Sequence, residues 1–194
     1  AHDWAQLKTL YETAILRGRD PIKVARLRFE LGGLLSVAYH DVAGAEDQHR
    51  RAISLDPGNA AAMEALARLY REKGRFEELQ AQLMRMAETT NDEDKRAALV
   101  VDRANVLWTK LLRLDEAVQI TRPIARIQDL ATEVIVRLLP LYRAAGDFAA
   151  QGTMLRRLAD RQSGDDRTQS LIDLAALFES SLGDCDSALS IYRQ

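Results

Sequence analysis

Trp4, Phe76 and Phe148 stand 72 residues apart, twice over. Three more apolar columns keep that spacing: Tyr11, Leu83 and Leu155; Ala14, Met86 and Leu158; Leu27, Leu99 and Leu171. Self-similarity at one long period is the signature of a repeat architecture. It constrains the chain more than any composition figure. Around the aromatic column the flanks align too, as Asp3-Trp4-Ala5-Gln6-Leu7, Arg75-Phe76-Glu77-Glu78-Leu79 and Asp147-Phe148-Ala149-Ala150-Gln151. As large apolar side chains at packing columns, Trp4, Phe76 and Phe148 are expected to fill the gaps between successive helix pairs.

Each long unit splits again. Met63, Leu66, Ala67 and Tyr70 form one helical stripe, and Leu79, Leu83 and Met86 form the next. Apolar residues at steps of three and four mark amphipathic helices. Gly74 falls where the first should end, in the left-handed position glycine tolerates best. The same grammar returns in Ile135, Leu138, Leu139 and Tyr142, then Gly146-Asp147-Phe148, then Leu155 and Leu158. The basic unit is a helix–turn–helix of about 34–38 residues. Composition agrees. Among 194 residues only 10 are Gly and 4 are Pro, and 47% are hydrophobic, which argues against disorder and against turn-rich β architectures. Helices are expected at 3–17, 21–39, 42–55, 60–73, 75–89, 94–111, 114–127, 130–145, 147–162, 166–181 and 185–194.

This pattern resembles the tetratricopeptide repeat (TPR). Leu66-Ala67 and Tyr70 occupy the family's Leu-Gly and Tyr places. Leu79 stands at its small-residue place, and Leu83 and Met86 at its aromatic and Ala places. Leu31-Gly32, Ala45, Ala52 and Asp56-Pro57-Gly58-Asn59 match its Leu-Gly, Ala, Ala and closing Asp-Pro-x-Asn. The chain departs in two ways. Only the first full repeat closes on Pro, and repeats one, three and five carry one extra residue between their helices. The resemblance covers essentially the whole chain and is similar to bacterial-type tandem arrays. It implies an all-α fold, an α-solenoid of about 11 helices wound as a right-handed superhelix. The expected layout is one array over 1–194: a partial repeat 1–19, repeats about 22–59, 60–93, 94–131 and 132–165, and a partial repeat 166–194. The chain opens on a second helix, and Ala188, Leu189, Ile191 and Tyr192 still present an apolar stripe near its end. That suggests a piece of a longer array.

The resemblance also implies a concave groove lined by the first helix of each pair, a surface for a peptide or helix. The family's groove positions fall here on Glu30, Glu64, Arg68, Arg71, Asp102, Asn105, Arg137, Arg143 and Asp173. Of these, Arg68, Arg71 and Arg143 suit an acidic partner, since Arg pairs carboxylates bidentately. The competing reading is that each is a solvated face charge. A Lys/Asn set that clamps a terminal carboxylate in one TPR subgroup is absent. Pro140 lies inside an expected first helix and should kink it, or widen the groove locally.

No chemistry emerges. His2, His40 and His49 lack metal-ligand spacing, and His49 falls in a packing column. Gly32-Gly33 lies inside a helix rather than in a phosphate loop. One cysteine, Cys185, excludes an intrachain disulfide and fits a reducing compartment. No apolar run approaches the ~20 residues that span a bilayer. The net charge of −2 carries no basic excess for nucleic acid. Its positive charge is mostly Arg, which reads as codon bias or as carboxylate recognition. The expectation is a non-catalytic scaffold for a protein or peptide partner, with no cofactor, no metal and no nucleic acid. Alternatives are a solenoid that self-assembles through its ends, and a regulatory module of a larger protein. The expected setting is cytoplasmic, with a periplasmic or envelope-associated one as alternative.

Overall fold

The structure is a computed structural model that describes residues 3–193. His2 and Gln194 lie outside the described residues. Among the described residues eleven α-helices are present: α1 (Trp4–Arg17), α2 (Pro21–Ala38), α3 (Val42–Leu55), α4 (Ala60–Glu72), α5 (Phe76–Thr89), α6 (Glu93–Thr109), α7 (Leu114–Ala125), α8 (Thr132–Ala144), α9 (Phe148–Arg161), α10 (Gly164–Leu177) and α11 (Cys185–Tyr192). A π-helical stretch, Phe178–Leu182, follows α10 and is the one element the periodicity does not suggest. There is no strand among the described residues. The chain divides into two compact units, Ala1–Thr89 and Thr90–Gln194.

In the first unit four helix starts have a side-chain cap. Asp3, Asp20, Asp41 and Asn59 each accept a backbone N–H from the first turn of α1, α2, α3 and α4. Such caps satisfy donors that have no intrahelical partner, typically worth about 1 kcal/mol each. Ala25, Ala45, Ala52 and Ala62 are fully buried, which lets the helices approach closely. Leu66, Leu79 and Leu83 are buried around them. Each such side chain contributes about 1.5–3 kcal/mol.

The second unit builds its main core from Leu107, Leu130, Ile135, Leu138, Tyr142 and Met154. A smaller cluster joins Leu155, Leu174, Leu177 and Ile191, with Phe148 and Phe178 partly buried against it. Helices α7, α8 and α10 start without a side-chain cap bond. Two arginines of α9 instead bind the segment after α7. Arg157 donates to the carbonyls of Ala125 and Ile127 at 2.8 and 3.0 Å. Arg161 donates to those of Leu130 and Gln128. A planar fork with several donors suits this work better than a lysine does, so part of the Arg excess is structural.

The turns carry the repeat as clearly as the core. Gly74 and Gly146 are left-handed, with φ of +67° and +66°. Just after them Arg75 N–H bonds the Tyr70 carbonyl and Asp147 N–H that of Tyr142, each closing over five residues. In the other pairs the closing bonds run from Asp41 to Leu35, Arg113 to Leu107 and Asp184 to Phe178, over six residues. This is the extra residue expected in repeats one, three and five. The left-handed position there falls on His40 and Leu112, themselves 72 apart, in the first two of these pairs and on Gly183 in the last.

Two expectations are corrected. Trp4, Phe76 and Phe148 do not fill the core: Trp4 is 41% exposed and the other two are half-buried. Each is the first residue of its helix. Helix α8 runs on past Pro140 to Ala144, and α7 likewise contains Pro123. Within the stripe at the end, Ile191 is buried while Leu189 and Tyr192 are exposed.

Candidate functional site

Within the second unit, α6 and α8 are the first helices of successive pairs. Val101, Asn105 and Trp108 sit on one face of α6 at steps of four and three, and Arg137, Pro140 and Leu141 do so on α8. Together with Ala104 they enclose a cavity of about 190 Å³. Its floor is apolar, from Val101, Ala104 and Leu141, all buried. Its rim is mixed. Asn105 is exposed with its amide unengaged, Trp108 offers a half-buried ring, and Arg137 pairs with Asp102 across the two helices. Pro140 has no N–H, so the Val136 carbonyl lacks its regular helical donor. The rim therefore combines an amide, an indole and a charge pair over an apolar floor. That set offers polar groups suited to a peptide backbone over a floor suited to an apolar side chain.

The structure brings Asp102, Asn105 and Arg137 together. The other groove candidates do not line this cavity. Glu30 stands alone on α2. Glu64, Arg68 and Arg71 run along the exposed face of α4, where Arg68 lies 3.9 Å from Glu72 one turn on. Such an exposed pair contributes roughly 0–1 kcal/mol. Arg71 and Arg143 both occupy the last turn of their helices, α4 and α8, where a cation favours the helix dipole. Asp173 accepts from Gln169 on its own helix α10 at 2.9 Å.

The first unit differs at the matching place. His49 of α3 is 2% exposed. Its ring lies against Gly32 of α2, where a Cβ would come within 2.6 Å of Cε1. Phe29 stands 5.7 Å away. The Nδ1 atom is buried without a hydrogen-bond partner. Burial, reinforced by the charge of Arg68, pulls the His49 pKa down from 6.5 to about 4. This imidazole is neutral packing material, as its column suggests. Exposed His40 is part of a turn.

Trp108 was not among the groove residues implied by the resemblance. Its spacing of three from Asn105 and seven from Val101 is the signal that places it on the same face. Among the described residues no three His, Cys, Asp or Glu side chains form a metal-binding group. No described helix is long and apolar enough to cross a membrane.

A protein of this class is a tandem array of helical hairpins. No protein-family model and no curated protein matches the chain. Solved structures do. YrrB, a TPR protein with an unusual peptide-binding site, superposes with a TM-score of 0.59 at 15% identity, over 93% of this chain and 88% of that one. PilF of Pseudomonas aeruginosa does so with a TM-score of 0.53 at 15% identity, over 97% and 88%. The chain has the tetratricopeptide-repeat fold.

Proposed function

We propose that the protein is a non-catalytic interaction scaffold that holds a peptide segment of a partner against α6 and α8. The carrying observation is the cavity roofed by Asn105, Trp108, Arg137 and Pro140 over an apolar floor. An unengaged amide supplies both a donor and an acceptor for peptide backbone. The indole offers a large apolar contact at low entropic cost, the usual character of a binding hot spot. YrrB, a neighbour in fold, is described by a peptide-binding site, which supports the same kind of ligand here. Arg137 and Asp102 neutralise each other, so the favoured segment is apolar and uncharged at this point rather than acidic.

The test is a random peptide library displayed on phage and panned on the full chain. Selected clones should lose about tenfold or more in affinity on Asn105→Ala and on Trp108→Ala. Clones that bind both variants as well as the wild type would refute the reading.

A second reading is association through the ends. Leu10 and Leu16 of α1, and Leu189 and Tyr192 of α11, are exposed apolar side chains at opposite ends of the chain. Under this reading sedimentation shows a mass that grows with concentration and reverts on Leu10→Lys together with Tyr192→Lys. A monomer at all concentrations rejects it.

A further inference from the structure

A second cleft lies in the first unit, on the side built by the second helices α3 and α5. It encloses about 440 Å³. Ile53, Leu66 and Tyr70, all buried residues, form its floor between Arg50 and Glu78 at one end and Ser54, Gln82 and Arg85 at the other. We propose that this cleft binds an extended acidic–apolar peptide segment of a protein partner, with a carboxylate on Arg85 and an apolar side chain on the floor. It goes beyond the α6–α8 groove and shares no residue with it.

Charge complementarity selects that occupant. At one end the charges are spent. Arg75 bonds Glu46 at 2.5 Å and Glu78 at 2.7 Å, and Arg50 bonds Glu46 at 2.9 Å and the Tyr70 hydroxyl at 3.0 Å. The Arg75 guanidinium also lies 4.8 Å over the Tyr70 ring. Two arginines therefore meet two carboxylates at that end, and the further arginine of the cleft, Arg85, has no acidic partner among the described residues. Beside it Ser54 is exposed, and Gln82 makes only a long 3.4 Å bond to the Met63 carbonyl.

The second unit shows what an arginine at this register can do. Arg157 stands 72 residues after Arg85, and it binds two carbonyl oxygens, those of Ala125 and Ile127. Their counterparts by register are Ile53 and Leu55. Between α3 and α4 the link is instead the tight Asp56-Pro57-Gly58-Asn59 turn, closed on itself by Asn59 N–H to the Asp56 carbonyl and Gly58 N–H to the Asp56 carboxylate. No carbonyl there engages Arg85. A guanidinium that is occupied in one unit is free in the other, at the mouth of an apolar cleft large enough for about three or four extended residues.

The probe is a phage-displayed hexapeptide library restricted to Asp, Glu, Leu, Ile, Val and Phe, with a matched library in which Asn and Gln replace the acids. Both are panned on the full chain. The acidic library should enrich binders, and the neutral one should not. Enriched clones should lose about tenfold or more on Arg85→Gln, since a charge-assisted guanidinium–carboxylate pair is among the stronger hydrogen-bonded contacts. Ala81→Trp, a change at an exposed position of α5 that fills the cleft, should abolish binding while the helical circular dichroism stays unchanged. Trp108→Ala should leave it intact, which separates this cleft from the groove. Equal enrichment from the neutral library overturns the proposal. So does the absence of binders, or insensitivity to Arg85→Gln, or self-association lost on Arg85→Gln, which would make the occupant a second copy.

Discussion

The two units follow one register and differ at a matched packing contact. Gly32 and His49 of the first correspond to Ala104 and Thr121 of the second, each 72 residues on. In the first unit a ring fills the space that the missing Cβ leaves. In the second the Cβ is present and the facing side chain shrinks to Thr121, fully buried, whose hydroxyl bonds the Ala117 and Val118 carbonyls and meets the Tyr142 hydroxyl at 3.3 Å. Volume is conserved across the pair while polarity is handled differently. Thr121 is satisfied; His49 Nδ1 is not. The register thus fixes where side chains meet, and the pairwise fit decides which ones can. The same holds one layer out. A cleft of about 440 Å³ opens beside second helices in the first unit, and the candidate site of the second opens between first helices.

Exchanging the contact should break the comparison most severely. Thr121→His places a ring against the Ala104 Cβ and removes the hydroxyl network. It should cost about 2–5 kcal/mol in urea unfolding. Adding Ala104→Gly should recover a substantial part of that loss. No recovery would mean the two columns are not equivalent.

Next in size is a pH effect confined to the first unit. His49 has a folded pKa near 4 against 6.5 unfolded. Between those values the unfolded state binds more protons, so stability rises with pH. The contribution is complete above pH 6.5 and is lost as pH falls toward 4, by at most about 3 kcal/mol. His49→Thr, the second unit's choice, should remove this slope. A slope that survives the substitution assigns the titration elsewhere.

Smaller again is the backbone effect at His40 and Leu112, which hold φ of 53° and 57°. A left-handed L-residue costs roughly 1–2 kcal/mol. Leu112 is 85% exposed and sacrifices no burial. Leu112→Gly should therefore stabilise the protein by up to about 1 kcal/mol, as the glycine of the Gly74 and Gly146 turns already does. His40→Gly tests the same point in the first unit.

Helix existence and ends were legible in the sequence because the punctuation is local. Asp20, Asp41, Asn59 and Asp147 cap starts, and Gly74 and Gly146 close ends. Periodicity placed His49 in a packing column for the same reason. It misplaced Trp4, Phe76 and Phe148, since a repeated aromatic reads as core whether it lies mid-helix or at a helix start. It gave no sign of the left-handed turns at His40 and Leu112, which lack glycine. Of the groove, the meeting of Asp102 and Arg137 followed from register. The cavity beside Trp108 and the capture of loop carbonyls by Arg157 and Arg161 depend on side-chain reach across helices, which spacing along one chain does not encode.

The central claim is that the α6–α8 groove holds a peptide. Only two tryptophans are present, Trp4 and Trp108. In a Trp4→Phe chain the emission therefore reports the groove alone. Titrating this chain with a peptide selected on the wild type should shift Trp108 emission to shorter wavelength and saturate, and Asn105→Ala should weaken the midpoint by about tenfold. Tight binding with unchanged emission, and the same midpoint in the Asn105 variant, would contradict the account.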